Sequence, residues 1–289
     1  MEFIWLFGRM LASVTGNVFQ KKMSHRGLSP LYITLGGYLV LSLISLPLLT
    51  QIQFAEIQSD FWLNITLAAL LDMTGTLLLV MSLSRTDLSV FGPLNAYKVV
   101  FSALLALIFL GEIPSLQGFA GIAIILAGSV LLFPPKNTGS NRLTSLLGQR
   151  GVQLRFLSIL LFSVGTLPLK NAVLAGGPMA TTLFWCLIGL PLAALIYFLF
   201  NGQSLKTDWQ HSHSKLRDFL WLGALIFAMQ YCTMLMFEGL LIAYALALFQ
   251  LSMVLQVFLG YRIFHEGHLR RRLAACAVMI IGCLMVIDA

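Results

Sequence analysis

Charge is what this sequence has least of. Asp, Glu, Lys and Arg supply 10% of its 289 residues while hydrophobic types supply 58%, against roughly 25% charged in ordinary soluble domains. That scarcity excludes a soluble domain and points to a chain dissolved in lipid. No GxxxxGK[ST] phosphate loop occurs, so nothing marks a chain that hydrolyses ATP for its own work. His265-Glu266 lacks the second histidine of HExxH, and no serine stands in a GxSxG elbow. The four cysteines, Cys186, Cys232, Cys276 and Cys283, all fall in apolar runs, where they read as small packing residues and not as disulfides or a zinc site. His211-Ser212-His213 has no further ligand nearby and reads as a solvated loop. The expectation is a non-enzyme without cofactor or metal.

What is present is a series of apolar runs, many near the twenty or so residues that an α-helix needs to cross a hydrocarbon core about 30 Å thick. Ten candidate spans lie at residues 3–20, 30–50, 61–83, 88–110, 114–133, 154–175, 179–200, 218–238, 240–263 and 269–287. The first has no basic leader and no clear cleavage site, so it reads as a span and not a signal peptide. The segment 134–153, with Pro134-Pro135, separates a five-span half at 1–133 from another at 154–289.

The halves look like copies. A shift of 154 residues places Glu112 on Glu266, Ala120 on Ala274, Ala123 on Ala277 and Gly128 on Gly282, and a shift of 150 places Ser13-Val14 on Ser163-Val164 and Gly27 on Gly177. Five spans per copy force the second copy to insert upside down. The expected fold is therefore an all-α integral membrane protein, ten transmembrane helices as two inverted five-helix repeats, the plan of many secondary transporters.

Residues 82–133 hold a short polar lead, a leucine-rich helix ending in FLGE, a tight Gly111-Glu112-Ile113-Pro114 corner and a small-residue helix with AGS; residues 246–287 carry FHE and IGC at the matching places. This pattern resembles the signature of EamA-type members of the drug/metabolite transporter superfamily. The resemblance implies a cavity lined by spans 1, 3, 4, 6, 8 and 9, with spans 5 and 10 peripheral. It implies a secondary transporter that moves a small polar or amphipathic metabolite by alternating access, export being favoured. An importer of the same fold, or a component that presents or flips a lipid-linked sugar, is the alternative. Where the family often has a proline near the middle of spans 4 and 9, this chain has Lys98 and Ser252.

The residues themselves divide the spans in the same way. Small residues such as Gly118, Gly121 and Gly128 in span 5 suit close helix packing. Polar residues gather elsewhere at helical spacing: Arg9, Ser13, Gly16, Asn17 and Gln20 in span 1; Asn64, Ala68, Asp72, Gly75 and Thr76 in span 3; Asn95, Lys98 and Ser102 in span 4. Ser163, Thr166 and Lys170 follow in span 6, Gln230 in span 8, and Ser252 and Gln256 in span 9. The candidate substrate-binding residues are Asn17, Asp72, Thr76, Asn95, Lys98, Thr166, Lys170, Gln230, Ser252 and Gln256, with Arg9, Asp72, Lys98 and Glu238 as candidates for coupling or gating. Competing readings accompany them. Arg9 and Lys170 can snorkel, hydroxyls and amides can bond between helices, and Glu112 and Glu266 can form the N-terminal boundary of the next helix.

Asp72 and Lys98 each lie twelve residues from the turn at 84–86, which at 1.5 Å per residue puts both about 18 Å deep. A lone charge there costs at least about 2.5 kcal/mol, so the expectation is an intramembrane pair. The expected partners are a small-molecule substrate, protons as coupling ion and the bilayer. Nucleic acid is not expected, since Arg270-Arg271-Arg272 reads as a juxtamembrane topology signal. All but Arg9, Lys98 and Lys170 of the eighteen Lys and Arg fall in loops that follow odd-numbered spans or at the span ends that border those loops. The positive-inside rule then puts both termini outside the cytoplasm of a bacterial inner membrane, whereas the resembled family characteristically keeps both inside.

Overall fold

The computed structural model describes residues 2–110, 115–132, 148–201, 208–209, 216–239 and 242–287. Among them there is no strand. The helices are α1 (Glu2–His25), α2 (Pro30–Ser45, continued by a 3-10 turn at Leu46–Thr50), α3 (Asp60–Leu83), α4 (Leu88–Phe91), α5 (Tyr97–Leu110) and α6 (Leu116–Val130). After them come α7 (Arg150–Phe200), α8 (Leu216–Gly239), α9 (Ile242–Gln250), α10 (Ser252–Phe264) and α11 (Leu269–Ile287). Among the described residues, four helical stretches are long and apolar enough to cross a membrane: Pro30–Thr50, Asp60–Leu83, Arg150–Phe200 and Leu216–Gly239. The expected Gly111–Pro114 corner, Glu112 and the His211–His213 loop lie outside the described residues.

Glycine sets two of the breaks. Gly27 (φ 87°) ends α1, and Leu28 N–H reaches back to the Met23 carbonyl at 3.3 Å; only glycine adopts this left-handed geometry without a steric penalty. Gly177 (φ 77°) breaks α7, and Pro178 restarts the helix where its missing N–H is no loss. These two glycines are the pair that the 150-residue shift superposes.

Two spans expected to be continuous are interrupted. The run 88–110 divides at Gly92, a 3-10 segment Pro93–Ala96 intervening before α5, because Pro93 has no N–H to continue the α-helical ladder. The run 240–263 divides at Leu251. Here side chains take backbone acceptors: Gln250 Nε2 donates to the Leu246 carbonyl at 2.9 Å and Ser252 Oγ to the Phe249 carbonyl at 2.7 Å, the kind of competition that bends helices. The first span also runs on to His25, which places Lys21 and Lys22 inside a helix.

The chain forms two compact units, each drawing on both halves of the sequence. One comprises Met1–Val80 with Gly165–Ile242, the other Met81–Val164 with Ala243–Ala289. In the first, α1 and α2 both pack along α8. Tyr32 meets Tyr197 at 6.1 Å and, edge-on, Phe219 at 5.5 Å, while Met23, Ile33 and Leu222 fill the same core. Large apolar side chains such as Leu63, Phe198 and Phe200 stay exposed, as a surface meant for lipid requires.

In the second unit α6 lies along α11, and small residues make the approach possible. A Cβ on Gly121 would stand 2.7 Å from the Gly282 carbonyl oxygen, and one on Gly282 would stand 2.8 Å from the Gly121 carbonyl oxygen. Backbone cannot yield as a flexible side chain can. Gly282→Leu is accordingly expected to lower stability by about 1–3 kcal/mol or more, read as a drop in thermal midpoint of the detergent-solubilised protein. Gly16→Ala, where a Cβ would meet nothing within 4 Å, should leave the midpoint unchanged or raise it.

Candidate functional site

The first unit holds a buried carboxylate in the middle of an apolar helix. Asp72, 6% exposed, sits at the centre of α3, and its Oδ2 accepts a 3.0 Å hydrogen bond from the Trp185 indole N–H on the second arm of α7. Trp185 in turn lies against Tyr38 of α2, ring centroids 5.4 Å apart, and the Tyr38 hydroxyl faces Thr76 and Asp72. Gly165 closes the other side: a Cβ there would be 3.0 Å from Asp72 Oδ1. Thr76 donates to the Asp72 backbone carbonyl at 2.7 Å.

Other candidates in this unit are spread along the helices. Arg9 Nε donates to Thr233 Oγ1 at 3.1 Å, so the polar stripe of α1 faces α8. Lys170 Nζ donates to the Phe237 carbonyl. Thr166 is buried, Asn17 is half-buried, and Gln230 is buried with its Nε2 unbonded among the described residues. Glu238, at the end of α8, is exposed and joins none of these groups among the contacts described.

In the second unit the helix interruptions carry the polar groups. Asn95 Nδ2 donates to Gln250 Oε1 at 3.3 Å, which joins two amides within one residue of equivalence under the 154-residue shift. Arg155 Nη2 donates to Asn95 Oδ1 at 3.0 Å, and its guanidinium carbon lies 3.9 Å from the centre of the Phe91 ring. Gln256 is buried beside Gly92, where a Cβ would meet the Gln256 Cβ at 2.7 Å. Lys98 is half-buried, with its backbone carbonyl 3.5 Å from Ser163 Oγ. Ser252 is buried and donates to the Phe249 carbonyl across the interruption at Leu251. Asp72 and Lys98 fall in different units.

A second network in this unit corrects the reading of Glu266 as the start of the following helix. His265 is left-handed (φ 54°), which turns the chain so that Glu266 accepts from the Leu88 and Ser89 N–H groups at 2.7 and 2.8 Å. The carboxylate thus caps α4, on the other half of the sequence, with the polarity that a helix N-terminus favours.

Sequence reasoning missed Trp185, Tyr38, Arg155 and Gln250. An aromatic in an apolar run carries no sign of its partner, and Arg155 follows Arg150 closely enough to pass as a loop cation. The signal for Gln250 was its place two residues before Ser252, in the span matching that of Asn95.

The EamA-like transporter family matches residues 1–133. The EamA match covers α1 to α6 and so includes Asp72, Thr76, Asn95 and Lys98; the family is one of membrane transporters of the drug/metabolite type. A solved crystal structure, described only as that of a protein, aligns with a TM-score of 0.62 at 15% identity over 98% of this chain and 95% of its own. That likeness shows a shared fold. No curated protein matches the chain.

Proposed function

We propose that this chain is a secondary active transporter that moves a small polar or amphipathic metabolite by alternating access, in the direction of export. The observation that carries this reading is Asp72: a carboxylate buried in the middle of an apolar helix, with an indole N–H donating to it. Intramembrane carboxylates are costly and mark ion and substrate pathways. Asp72 can gain or lose a proton, which changes the charge that its helix carries. Lys98 and Lys170 are proposed to contribute to substrate contact. The two sequence halves are proposed to be inverted repeats.

Counterflow in proteoliposomes tests the function. Protein loaded with one metabolite of a panel should accelerate entry of the same labelled metabolite, and liposomes with no acceleration for any small polar solute would remove the transporter reading. Acceleration of lipid-linked sugar scrambling instead would favour the flippase.

Both termini are proposed to lie outside the cytoplasm. Alkaline phosphatase fused at the C-terminus should be active and a fluorescent protein there dark. The reverse result would overturn the charge-based orientation.

A further inference from the structure

We propose that Arg155 is a binding residue for the carboxylate of a small anionic substrate, held ready by the Asn95–Gln250 amide relay at the two helix interruptions of the second unit. This inference rests on the transporter reading and names its substrate class.

Arg155 is 4% exposed. Its guanidinium offers five N–H donors, yet only Nη2 is bonded, to the amide oxygen of Asn95; Nε and Nη1 are buried and make no hydrogen bond among the described residues. The other arginines with described ion pairs have a carboxylate: Arg26 has Asp218, and Arg272 has Asp87 and Glu266. Arg155 has none described. A buried guanidinium without a counter-charge is unfavourable, and an amide oxygen orients it without neutralising it.

The orientation is tightly specified. Asn95 uses its oxygen for Arg155 and its nitrogen for Gln250 Oε1, and Gln250 uses its own nitrogen for the Leu246 carbonyl. Neither amide can flip without losing a bond at each end. Phe91 supports the guanidinium from one face at 3.9 Å, as arginine prefers. What remains open is one positive charge with four N–H donors, and the second N–H of Nη2 beside one on Nε or Nη1 makes the fork that complements one carboxylate. The donors are closed to solvent, so an anion reaches them only when neighbouring segments part. The interruptions at Pro93–Ala96 and Leu251 are where parting breaks the fewest helix hydrogen bonds, and discontinuous helices recur at transporter binding sites.

The test uses the full chain in phosphatidylcholine nanodiscs, which contain no anionic headgroup, and reads the thermal midpoint with pyruvate, inorganic phosphate, putrescine or glucose at matched ionic strength. Pyruvate should raise the midpoint of the wild type, and Arg155→Gln should abolish that shift without lowering the ligand-free midpoint, because the charge removed has no carboxylate to lose. Arg155→Lys, which keeps the charge, should retain part of the shift and serves if Arg155→Gln fails to fold. No pyruvate shift in the wild type, an equal shift in Arg155→Gln, or a response to phosphate, putrescine or glucose alone overturns the proposal. Counterflow separates its failure from that of the transporter reading. Pyruvate flux should fall by about tenfold or more in Arg155→Gln, which is 1.4 kcal/mol or more. Arg155-dependent binding with no flux would keep the site and remove transport; flux of a cation or neutral solute untouched by Arg155→Gln would do the reverse.

Discussion

Asp72→Asn should reduce the initial rate of transport by about 100-fold or more, a loss of at least ~2.7 kcal/mol, with folded protein still in the membrane. The carboxamide has nearly the shape of the carboxylate, and its oxygen can still accept the Trp185 indole N–H that now reaches Oδ2 at 3.0 Å. The bond from Thr76 goes to the backbone carbonyl and is untouched. Only the charge and the capacity to titrate are removed, so loss of flux with an unchanged thermal midpoint would assign the function to the charge. Asp72→Leu is the contrasting variant. It strands a buried indole N–H, which costs about 1–3 kcal/mol, and should lower the midpoint as well as the rate. Normal transport by Asp72→Asn would exclude Asp72 from the mechanism.

The helices were legible because lipid imposes one long apolar run per crossing, and that signal needs no tertiary information. The break near Gly177 was legible for a local reason, a Gly-Gly-Pro sequence between two such runs. The interruptions at Gly92 and Leu251 were not. Pro93 stands within the apolar run 88–110, and a single residue at Leu251 leaves hydropathy unchanged; what breaks the second helix is two side chains, Gln250 and Ser252, capturing carbonyls of their own segment. Periodicity cannot register a hydrogen bond that a side chain takes from its own backbone.

For the site, polar residues in apolar runs directed attention to Asp72 and Asn95, since burial of such groups demands a partner. Their partners stayed hidden. Trp185 is 113 residues from Asp72 and Arg155 is 60 from Asn95, and no spacing rule links residues on separate helices. Arg155 also shows where charge counting misleads: a cation in the second turn of α7 scores as a loop residue while its side chain is buried. The same limit applies to Glu266, whose position just before a helix suggests the neighbouring N-terminus when it serves a distant one.

Glu266→Ala should destabilise the protein by about 3–5 kcal/mol, the cost of breaking a buried ion pair by removing one partner. The carboxylate accepts from the Leu88 and Ser89 N–H groups and the Ser89 hydroxyl, and it faces Arg272 at 3.4 Å, each side chain 5% exposed. Alanine leaves two N–H groups at the start of α4 without the carboxylate they donate to, and leaves Arg272 with the Ser89 hydroxyl and its pairing with the half-exposed Asp87 at 2.7 Å. Glu266→Gln keeps one acceptor oxygen and loses the charge, so it should fall between alanine and wild type. In Glu266→Ala/Arg272→Met both charges go, and the double variant should be more stable than the sum of its single variants predicts. Thermal midpoints and denaturant titrations of the four proteins in one detergent measure this coupling. A midpoint for Glu266→Ala equal to wild type would mean that water replaces the carboxylate at no cost, and that the α4 cap contributes nothing to stability.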